Sequence, residues 1–297
     1  MPATEQDKIS LPIHNWDALQ ELEEAQEFFS NDANGEVVRL LDENYRSPDT
    51  VGLNVGSSSG IADLANREAL RLLEQERDHL SYFTGVCGAA GITSGAILNP
   101  AGFLLLALIY NPLSRVAKLG RTIKVMRLLL EEFKGVGIQI FPCLKVPGHE
   151  LIDLFVIFPE RVYLLISIRS KSKEEAKVVY SEGNETLYVK HKGRRLRKWQ
   201  PCPLVELSDY HTWLSKNRRQ FGISADAIRK YSVIKTLILF PPMQIERHNE
   251  HLYTKMGDMT ALAIPRKGTI FVIQEAEILE FVKGCLTQAE SKAKKKQ

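Results

Sequence analysis

Apolar residues recur with different periods along the chain, and the changes of period divide it into regions. Between residues 14 and 45, and again from Ile61 to Leu80, apolar positions recur every three to four residues among many acidic side chains, which predicts helices. The stretch from Val51 to Gly60 is rich in glycine and serine, which indicates a flexible linker. Residues 1–80 are therefore predicted to form an acidic helical region.

The next region carries no charge. From Leu80 to Ser114 there is no Asp, Glu, Lys, Arg or His, and the part from Gly91 to Tyr110 is long enough to span a bilayer as a helix of about 30 Å. Cations follow directly, as is typical of the cytoplasmic flank of a membrane segment: Arg115, Lys118, Arg121, Lys124 and Arg127. Residues 81–114 are predicted either to associate with a membrane through residues 82–112, as a span or a shallow hairpin, or to form a buried, glycine-rich helical hairpin.

From residue 115 onwards the pattern predicts an α/β domain that ends near residue 288, followed by a basic, disordered tail over residues 289–297. Helices are predicted over Ile123–Phe133, Leu204–Phe221, Ile223–Arg229 and Ala276–Leu286. Apolar runs separated by turn residues predict strands over Ile138–Val146, Leu151–Phe158, Val162–Ile168, Glu185–Val189, Val233–Phe240, Met259–Ile264 and Thr269–Ile273.

Composition and charge narrow the function classes. The chain has 297 residues, 44% of them hydrophobic, and its four cysteines contain no CxxC pair, which argues against a cysteine-based zinc site and a disulfide framework. The net charge of +3 divides into −11 over residues 1–80 and +14 over residues 81–297. The acidic helices are suited to a protein partner, and the basic remainder to nucleic acid or anionic lipid. The two regions can also attract each other. A cytoplasmic location is expected, on the cytoplasmic face if the chain meets a membrane.

One motif points to chemistry. The segment GHELIDLFVIFPERVYLLISIRSK, residues 148–171, opens its second strand with Asp153 after the apolar Ile152. It resembles the core of the PD-(D/E)xK nuclease superfamily, and in particular the nuclease-related domain called NERD. The resemblance implies a restriction-endonuclease-like mixed sheet flanked by helices. A helix precedes a hairpin, a turn leads to a third strand, and Pro203-Leu204 opens a later helix before the strand from Ile234 to Phe240.

The resemblance also implies a site in which two carboxylates on adjacent strands hold Mg²⁺ and a lysine activates water. In the family the third strand ends in Glu-x-Lys, and the spacing from Asp153 places that carboxylate at position 167 and the lysine at position 169. This chain has Ser167-Ile168-Arg169 there. A serine is a poor lone ligand for Mg²⁺ and an arginine does not act readily as a base. The leading interpretation is a nuclease-like domain that has lost catalysis and needs no cofactor. The alternative is a Mg²⁺-dependent nuclease that uses Asp153 with a displaced carboxylate from Glu131, Glu132 or Glu150, and Lys171 or Lys173 as the lysine.

A second candidate surface is the segment KHKGRRLRKW, from Lys190 to Trp199, which we call the basic segment. Six of its ten residues are cationic: Lys190, Lys192, Arg194, Arg195, Arg197 and Lys198. Cations that neutralise phosphates, together with Trp199 as a stacking aromatic, predict a nucleic-acid or anion-binding surface. A solvated hairpin that balances the acidic residues is the alternative.

Overall fold

The computed structural model describes residues 55–95, 100–159, 161–170, 176–230, 233–241 and 243–294. The chain divides into two compact units, residues 1–46 and 47–297, and all described residues belong to the second unit. The helices predicted between residues 14 and 45 lie outside the described residues, as do Lys171 and Lys173.

The described unit is an α/β structure with two sheets. Its helices are α1 (Val55–Gly95), α2 (Pro100–Glu132), α3 (Pro203–Asn217), α4 (Ala225–Lys230) and α5 (Ile278–Lys294). Its strands are β1 (Gln139–Leu144), β2 (Ile152–Ile157), β3 (Tyr163–Arg169), β4 (Lys177–Ser181), β5 (Thr186–Lys190), β6 (Arg197–Lys198), β7 (Val233–Leu239), β8 (Gln244–Ile245), β9 (Tyr253–Met256), β10 (Met259–Pro265) and β11 (Thr269–Gln274). The larger sheet has seven strands in the order β1-β2-β3-β7-β11-β10-β9, and the smaller has four in the order β6-β5-β4-β8.

The larger sheet is mixed. Strands β1, β2 and β3 form an antiparallel meander, whereas β3, β7 and β11 run parallel to one another. A parallel neighbour requires a crossover, and α3 lies in the connection between β3 and β7 and packs on both strands. The smaller sheet is inserted in the same connection through β4, β5 and β6.

The core explains why the central strands read as continuous apolar runs. On one face of the larger sheet, Leu164, Ile166 and Ile168 of β3 pack in a buried cluster with residues of α1, α2 and α5. All seven residues of β3 are buried, because α3 lies against the opposite face. A strand that is covered on both faces gains nothing from alternating polar residues, so its sequence is nearly uniform in polarity.

Helices α1 and α2 pack against each other as a hairpin. Ala69 and Leu73 of α1 and Ile123 of α2 belong to the same buried cluster. Two ion pairs also join the helices, Glu76–Arg115 at 2.5 Å and Glu74–Arg127 at 2.6 Å. Part of the acidic charge predicted for residues 1–80 is therefore matched by cations of α2, as expected if the two regions attract each other.

The uncharged stretch is divided between the two helices. Helix α1 ends at Gly95 and α2 begins at Pro100, while residues 96–99 lie outside the described residues. Proline suits the first position of a helix because its missing N–H has no intrahelical partner there. Within the described ranges, no helix combines the length and the apolar character that a membrane crossing requires.

One side chain of helix α1 makes hydrogen bonds to the edge of the larger sheet. Asn66, which is 1% exposed, donates from Nδ2 to the carbonyl oxygen of Ile138 at 2.8 Å. Its Oδ1 accepts from the N–H of Ile140 at 2.9 Å. One amide thus makes the pair of hydrogen bonds that a neighbouring strand would make to β1.

Three predictions about the elements need correction. The predicted linker is helical from Val55 onwards, because a helix that is already nucleated extends by one residue at little cost. The predicted disordered tail is helical as far as Lys294, since α5 continues through residues with good helix propensity such as Ala289 and Glu290. Strands β4, β6, β8 and β9 were not predicted, and each has at most five residues.

Candidate nucleic-acid interface and the Asp153 cluster

Asp153 lies in β2 at the point where that strand separates from β3. The β2–β3 register ends at the pair Leu154–Ile166, and beyond it the carboxylate of Asp153 accepts the N–H of Ile168 through Oδ2 at 2.6 Å. The side chain thus replaces a missing backbone acceptor. It is 0% exposed, so its charge must be compensated within the protein.

Arg169 supplies most of that compensation. Its Nη1 lies 2.8 Å from Oδ2 of Asp153, and its Nη2 lies 3.2 Å from Oε2 of Glu206 and 3.3 Å from the hydroxyl of Tyr210. Burial alone would lower the pKa of Arg169, but the carboxylates of Asp153 and Glu206 outweigh this effect and raise it. The guanidinium is therefore a fixed cation between two carboxylates.

Two further residues complete this group at its outer side. Lys118 of α2 lies 3.4 Å from Oδ1 of Asp153 and 3.2 Å from Oε2 of Glu150, measured from Nζ. Glu150 also lies 3.6 Å from Nη2 of Arg169. We call the group of Lys118, Glu150, Asp153, Arg169, Glu206 and Tyr210 the Asp153 cluster.

The backbone is irregular beside the cluster. Cys143, which faces Asp153 across β1 and β2, has φ of +52°, a left-handed conformation that is uncommon for residues other than glycine. Burial raises the pKa of the Cys143 thiol to about 12, with a further contribution from the charge of Asp153. The thiol is thus neutral, and the carboxylate has its hydrogen bonds on the side of β3.

The side chains around Asp153 are not arranged to bind Mg²⁺. Each oxygen of Asp153 already faces a cation, Arg169 on one side and Lys118 on the other. At the position where the resemblance implies the second carboxylate, the chain has Ser167, whose buried hydroxyl has no hydrogen-bond partner among the described residues. Among those residues, no group of three or more His, Cys, Asp and Glu side chains is arranged to hold a metal ion. Two of the predicted site residues, Asp153 and Glu150, are brought together, but around cations of the chain.

Three members of the cluster, Lys118, Glu206 and Tyr210, were not predicted as site residues from the sequence. Glu206 and Tyr210 are four residues apart on α3, so they share one helix face, and that spacing was a signal in the sequence. Lys118 is contributed by α2, which is distant in sequence, and only the packing of α2 places it near Asp153. A local motif contains no information about such a contact.

An open pocket of about 650 Å³ lies beside the cluster. It is lined by the loop from Lys145 to Glu150 and by residues at the start of α3, including Cys202 and Glu206. Burial alone would raise the pKa of the Cys202 thiol, but hydrogen bonds from Thr186 and from the backbone N–H groups of Val205 and Leu204 lower it overall. The pocket wall thus includes a polarised thiol, two acidic residues of the cluster, Glu150 and Glu206, and the exposed imidazole of His149.

The basic segment is exposed along most of its length. It comprises the end of β5, a turn and β6, and its six cations are all exposed: Lys190, Lys192, Arg194, Arg195, Arg197 and Lys198. Of these, Lys190, Arg194, Arg195, Arg197 and Lys198 form no ion pair with any carboxylate in the described part of the chain. Their charge is therefore available to an external anion.

The role predicted for Trp199 was wrong. Its side chain is 2% exposed and therefore lies inside the protein. Its backbone N–H donates to the carbonyl oxygen of Leu187 at 2.9 Å, which holds the end of β6 against β5. A ring that is enclosed in this way has no free face on which a base can stack. The cationic part of the prediction is independent of Trp199 and stays a prediction.

The hairpin presents large apolar side chains to solvent. Tyr82 is 76% exposed, and Phe83, Val86 and Leu113 are each more than 40% exposed. They lie within the stretch from Leu80 to Ser114 that has no charged residue. Isolated exposed apolar residues are common, but several of them within an uncharged stretch of a hairpin indicate a contact surface.

Comparisons with known proteins add no identification: no protein-family model, curated protein or solved structure matches the chain.

Proposed function

We propose that the chain contains a nuclease-related domain that has lost metal-dependent catalysis and binds nucleic acid through the basic segment. The order of elements supports the NERD-like and restriction-endonuclease-like part of this proposal. Helix α2, strands β1 to β3, helix α3 and strand β7 follow one another in the order that the resemblance implies, and the positions of Asp153 in β2 and Arg169 at the end of β3 match it.

The loss of catalysis is supported by what surrounds Asp153. Arg169 ends β3 where the resemblance implies a lysine, and its guanidinium is bound to Asp153 and Glu206. A guanidinium stays protonated at all physiological pH values, so it does not serve readily as a base. The cluster has the character of a structural ion network.

The observation that carries the binding function is a set of exposed cations that form no ion pair among the residues the structure describes. Arg194, Arg195 and Arg197 lie within four residues of one another on an exposed turn and edge strand. Phosphates are the natural partners of such guanidinium groups, which bind them through two hydrogen bonds each. Neutralised phosphates release counterions, so the affinity of a site of this kind depends steeply on salt.

The experiment is a titration of labelled single-stranded and double-stranded DNA with the full chain at several salt concentrations. The triple variant Arg194→Gln, Arg195→Gln and Arg197→Gln is expected to lower the affinity and to reduce the slope of log K against log salt by about 2. A matched control neutralises three exposed cations elsewhere, Lys134, Lys216 and Arg219. Equal effects of the two triple variants would reduce the proposal to a general charge effect.

The alternative of a Mg²⁺-dependent nuclease is tested in the same samples. Incubation of the DNA with the full chain and Mg²⁺ is expected to leave the DNA intact. Cleavage that requires Mg²⁺ and disappears in Asp153→Ala would favour the nuclease. The further alternative, an adaptor that grips a protein partner through residues 1–80, stays a prediction.

We also propose that helix α1 attaches the chain to a membrane surface through Tyr82, Phe83 and Val86, on the observation that these side chains are exposed in an uncharged region. Flotation with vesicles of phosphatidylcholine and phosphatidylserine tests this. The variant Tyr82→Ser, Phe83→Ser and Val86→Ser is expected to stay unbound, whereas the triple arginine variant floats. Flotation of both variants, or of neither the variants nor the wild type, would contradict the attachment.

A further inference from the structure

The smaller sheet has an outer face on which cations surround one aromatic ring. Lys177 of β4 is directly opposite Lys190 of β5, Val179 is opposite Tyr188, and Tyr188 is opposite Lys198 of β6. Directly opposed residues of antiparallel strands project from the same face. We call the surface formed by Lys177, Val179, Tyr188, Lys190 and Lys198 the outer face.

Burial supports this orientation. The neighbours Val178 and Tyr180 in β4, and Val189 in β5, are buried, so they point to the inner face. Lys177, Lys190 and Lys198 are exposed, while Val179 and Tyr188 are partly exposed. The alternation along both strands thus leaves cations and one aromatic ring toward solvent.

Within the described part of the chain, no ion pair balances the charge of the outer face. Like charges directly opposite each other on a sheet are unfavourable, as for Lys177 and Lys190. No carboxylate forms an ion pair with Lys177, Lys190 or Lys198 among the residues that the structure describes. The acidic residues of the β4–β5 turn, Glu182 and Glu185, lie at the opposite end of the hairpin from the Lys177–Lys190 pair. An anion that binds between the lysines removes this repulsion.

Tyr188 has the position of a stacking residue. Its ring lies between Val179 and Lys198 on the outer face, and its hydroxyl accepts a hydrogen bond from Nδ2 of Asn184 at 3.2 Å. This bond orients the ring, so little freedom is lost when a base stacks on it. A sheet with an aromatic ring among cations suits an unpaired strand, whose bases have free faces and whose phosphates reach the lysines.

We propose that the outer face binds single-stranded nucleic acid, with a base stacked on Tyr188 and phosphates bound by Lys177, Lys190 and Lys198. This inference rests on the proposed nucleic-acid binding, and it adds the strandedness of the ligand and the stacking residue. Trp199 then has a positioning role. Its backbone hydrogen bond to Leu187 holds β6 against β5, and this pairing places Lys198 beside Tyr188.

The test uses the full chain and two fluorescent probes, an oligothymidylate of about 20 nucleotides and a duplex of the same length. Tyr188→Ala is expected to weaken binding of the single strand roughly ten-fold, with an unchanged salt slope and little effect on the duplex. Tyr188→Phe keeps the ring and is expected to bind as the wild type does. Lys177→Gln with Lys190→Gln is expected to reduce the salt slope, because it removes phosphate contacts.

The outcomes separate the two proposals. If Tyr188→Ala, folded by circular dichroism, binds the single strand as well as the wild type does, the stacking inference fails while the function of the basic segment stands. If Tyr188→Ala is unfolded, the double variant Lys177→Gln with Lys190→Gln provides the test. If this double variant binds the single strand with the affinity and salt slope of the wild type, the inference is overturned. If the wild type binds neither probe, the proposed function fails, and the inference fails with it.

Discussion

The carboxylate of Asp153 has two roles, as a hydrogen-bond acceptor for the backbone and as the partner of a buried cation. It accepts the N–H of Ile168 where β2 and β3 diverge, and it binds the guanidinium of Arg169, which also contacts Glu206. Removal of one partner from a buried ion pair leaves the other charge without compensation, which costs far more than the pair contributes. The cluster is therefore more sensitive to the loss of one member than to the replacement of several.

Asp153→Asn is expected to lower the free energy of unfolding by about 3–5 kcal/mol, because Arg169 and Lys118 lose the carboxylate that faces them. Urea unfolding followed by circular dichroism measures the change. The exposed Asp258, in the turn before β10, provides the control Asp258→Asn, for which little change is expected. A metal-binding carboxylate in a cluster of like charges would give the opposite result, with Asp153→Asn as stable as the wild type or more so.

A second residue links stability to pH. Burial lowers the pKa of His211 below its ordinary value of 6.5, and the positive charge of Lys235 lowers it further. The folded state thus resists protonation of this imidazole, while the unfolded state accepts the proton in the ordinary range. The free energy of unfolding is therefore expected to fall as the pH decreases below about 6.5.

His211→Gln removes this titration. The variant is expected to lose less stability than the wild type when the pH is lowered from about 7.5 to about 5.5, and to show an unchanged dependence at higher pH. Urea unfolding at a series of pH values measures the difference. If the free energy of unfolding depends on pH in the same way for the wild type and the variant over the whole range, the titration does not belong to His211.

At the scale of elements, the sequence predicted the strands that are buried on both faces. The apolar runs around β2, β3 and β7 are long and bounded by turn residues, so their type was clear from sequence. Strands β6 and β8 have two residues each and exist only because they pair with β5 and β4. Their conformation is set by tertiary contacts, which leave no periodic signal.

In the candidate site, too, the features that local sequence determines were predictable and those that tertiary contacts determine were not. The position of Asp153 on a buried strand was predictable, since it opens an apolar run. The burial of Trp199 was not, because a tryptophan beside six cations fits a stacking role and an anchoring role equally well in sequence. Only the pairing of β5 with β6 decides that its ring points inward.

Asn66→Ala is expected to lower the free energy of unfolding by about 2 kcal/mol or more. The substitution leaves the carbonyl of Ile138 and the N–H of Ile140 without their side-chain partners at a buried position. Thermal and urea unfolding provide the measurement. The matched control on the same helix is Gln75→Ala, where the amide is exposed and no comparable loss is expected. Equal stability of both variants would show that water replaces Asn66 without cost.

At the scale of the whole described unit, the larger sheet shares one core with the hairpin base, by which we mean the part of α1 around Leu73 and the part of α2 around Ile123. Leu73 of α1 is 0% exposed and belongs to the same buried cluster as Ile166 of β3 and Phe281 of α5. The packing of each element depends on the others, so local unfolding of the hairpin base exposes the sheet. A single cooperative transition is the expected behaviour of such a core.

Leu73→Ala is expected to lower the free energy of unfolding by about 2–5 kcal/mol, because it removes a buried side chain and leaves a cavity. In a Trp16→Phe background, the fluorescence of Trp199 and Trp213 and the helical circular dichroism signal should shift to the same urea concentration. The exposed Leu64 of the same helix gives the control, Leu64→Ala, with little change. Separate transitions for the two signals would mean that hairpin and sheet unfold independently.

The amide of Asn66 also determines where the larger sheet stops. An edge strand with free N–H and carbonyl groups can pair with a strand of another molecule, and such pairing leads to aggregation. On β1 the groups of Ile138 and Ile140 are already bonded to a helix, which cannot add a further strand. This part of the edge is thus closed to pairing by a single side chain, and a chain that loses the contact exposes these backbone groups to its own copies.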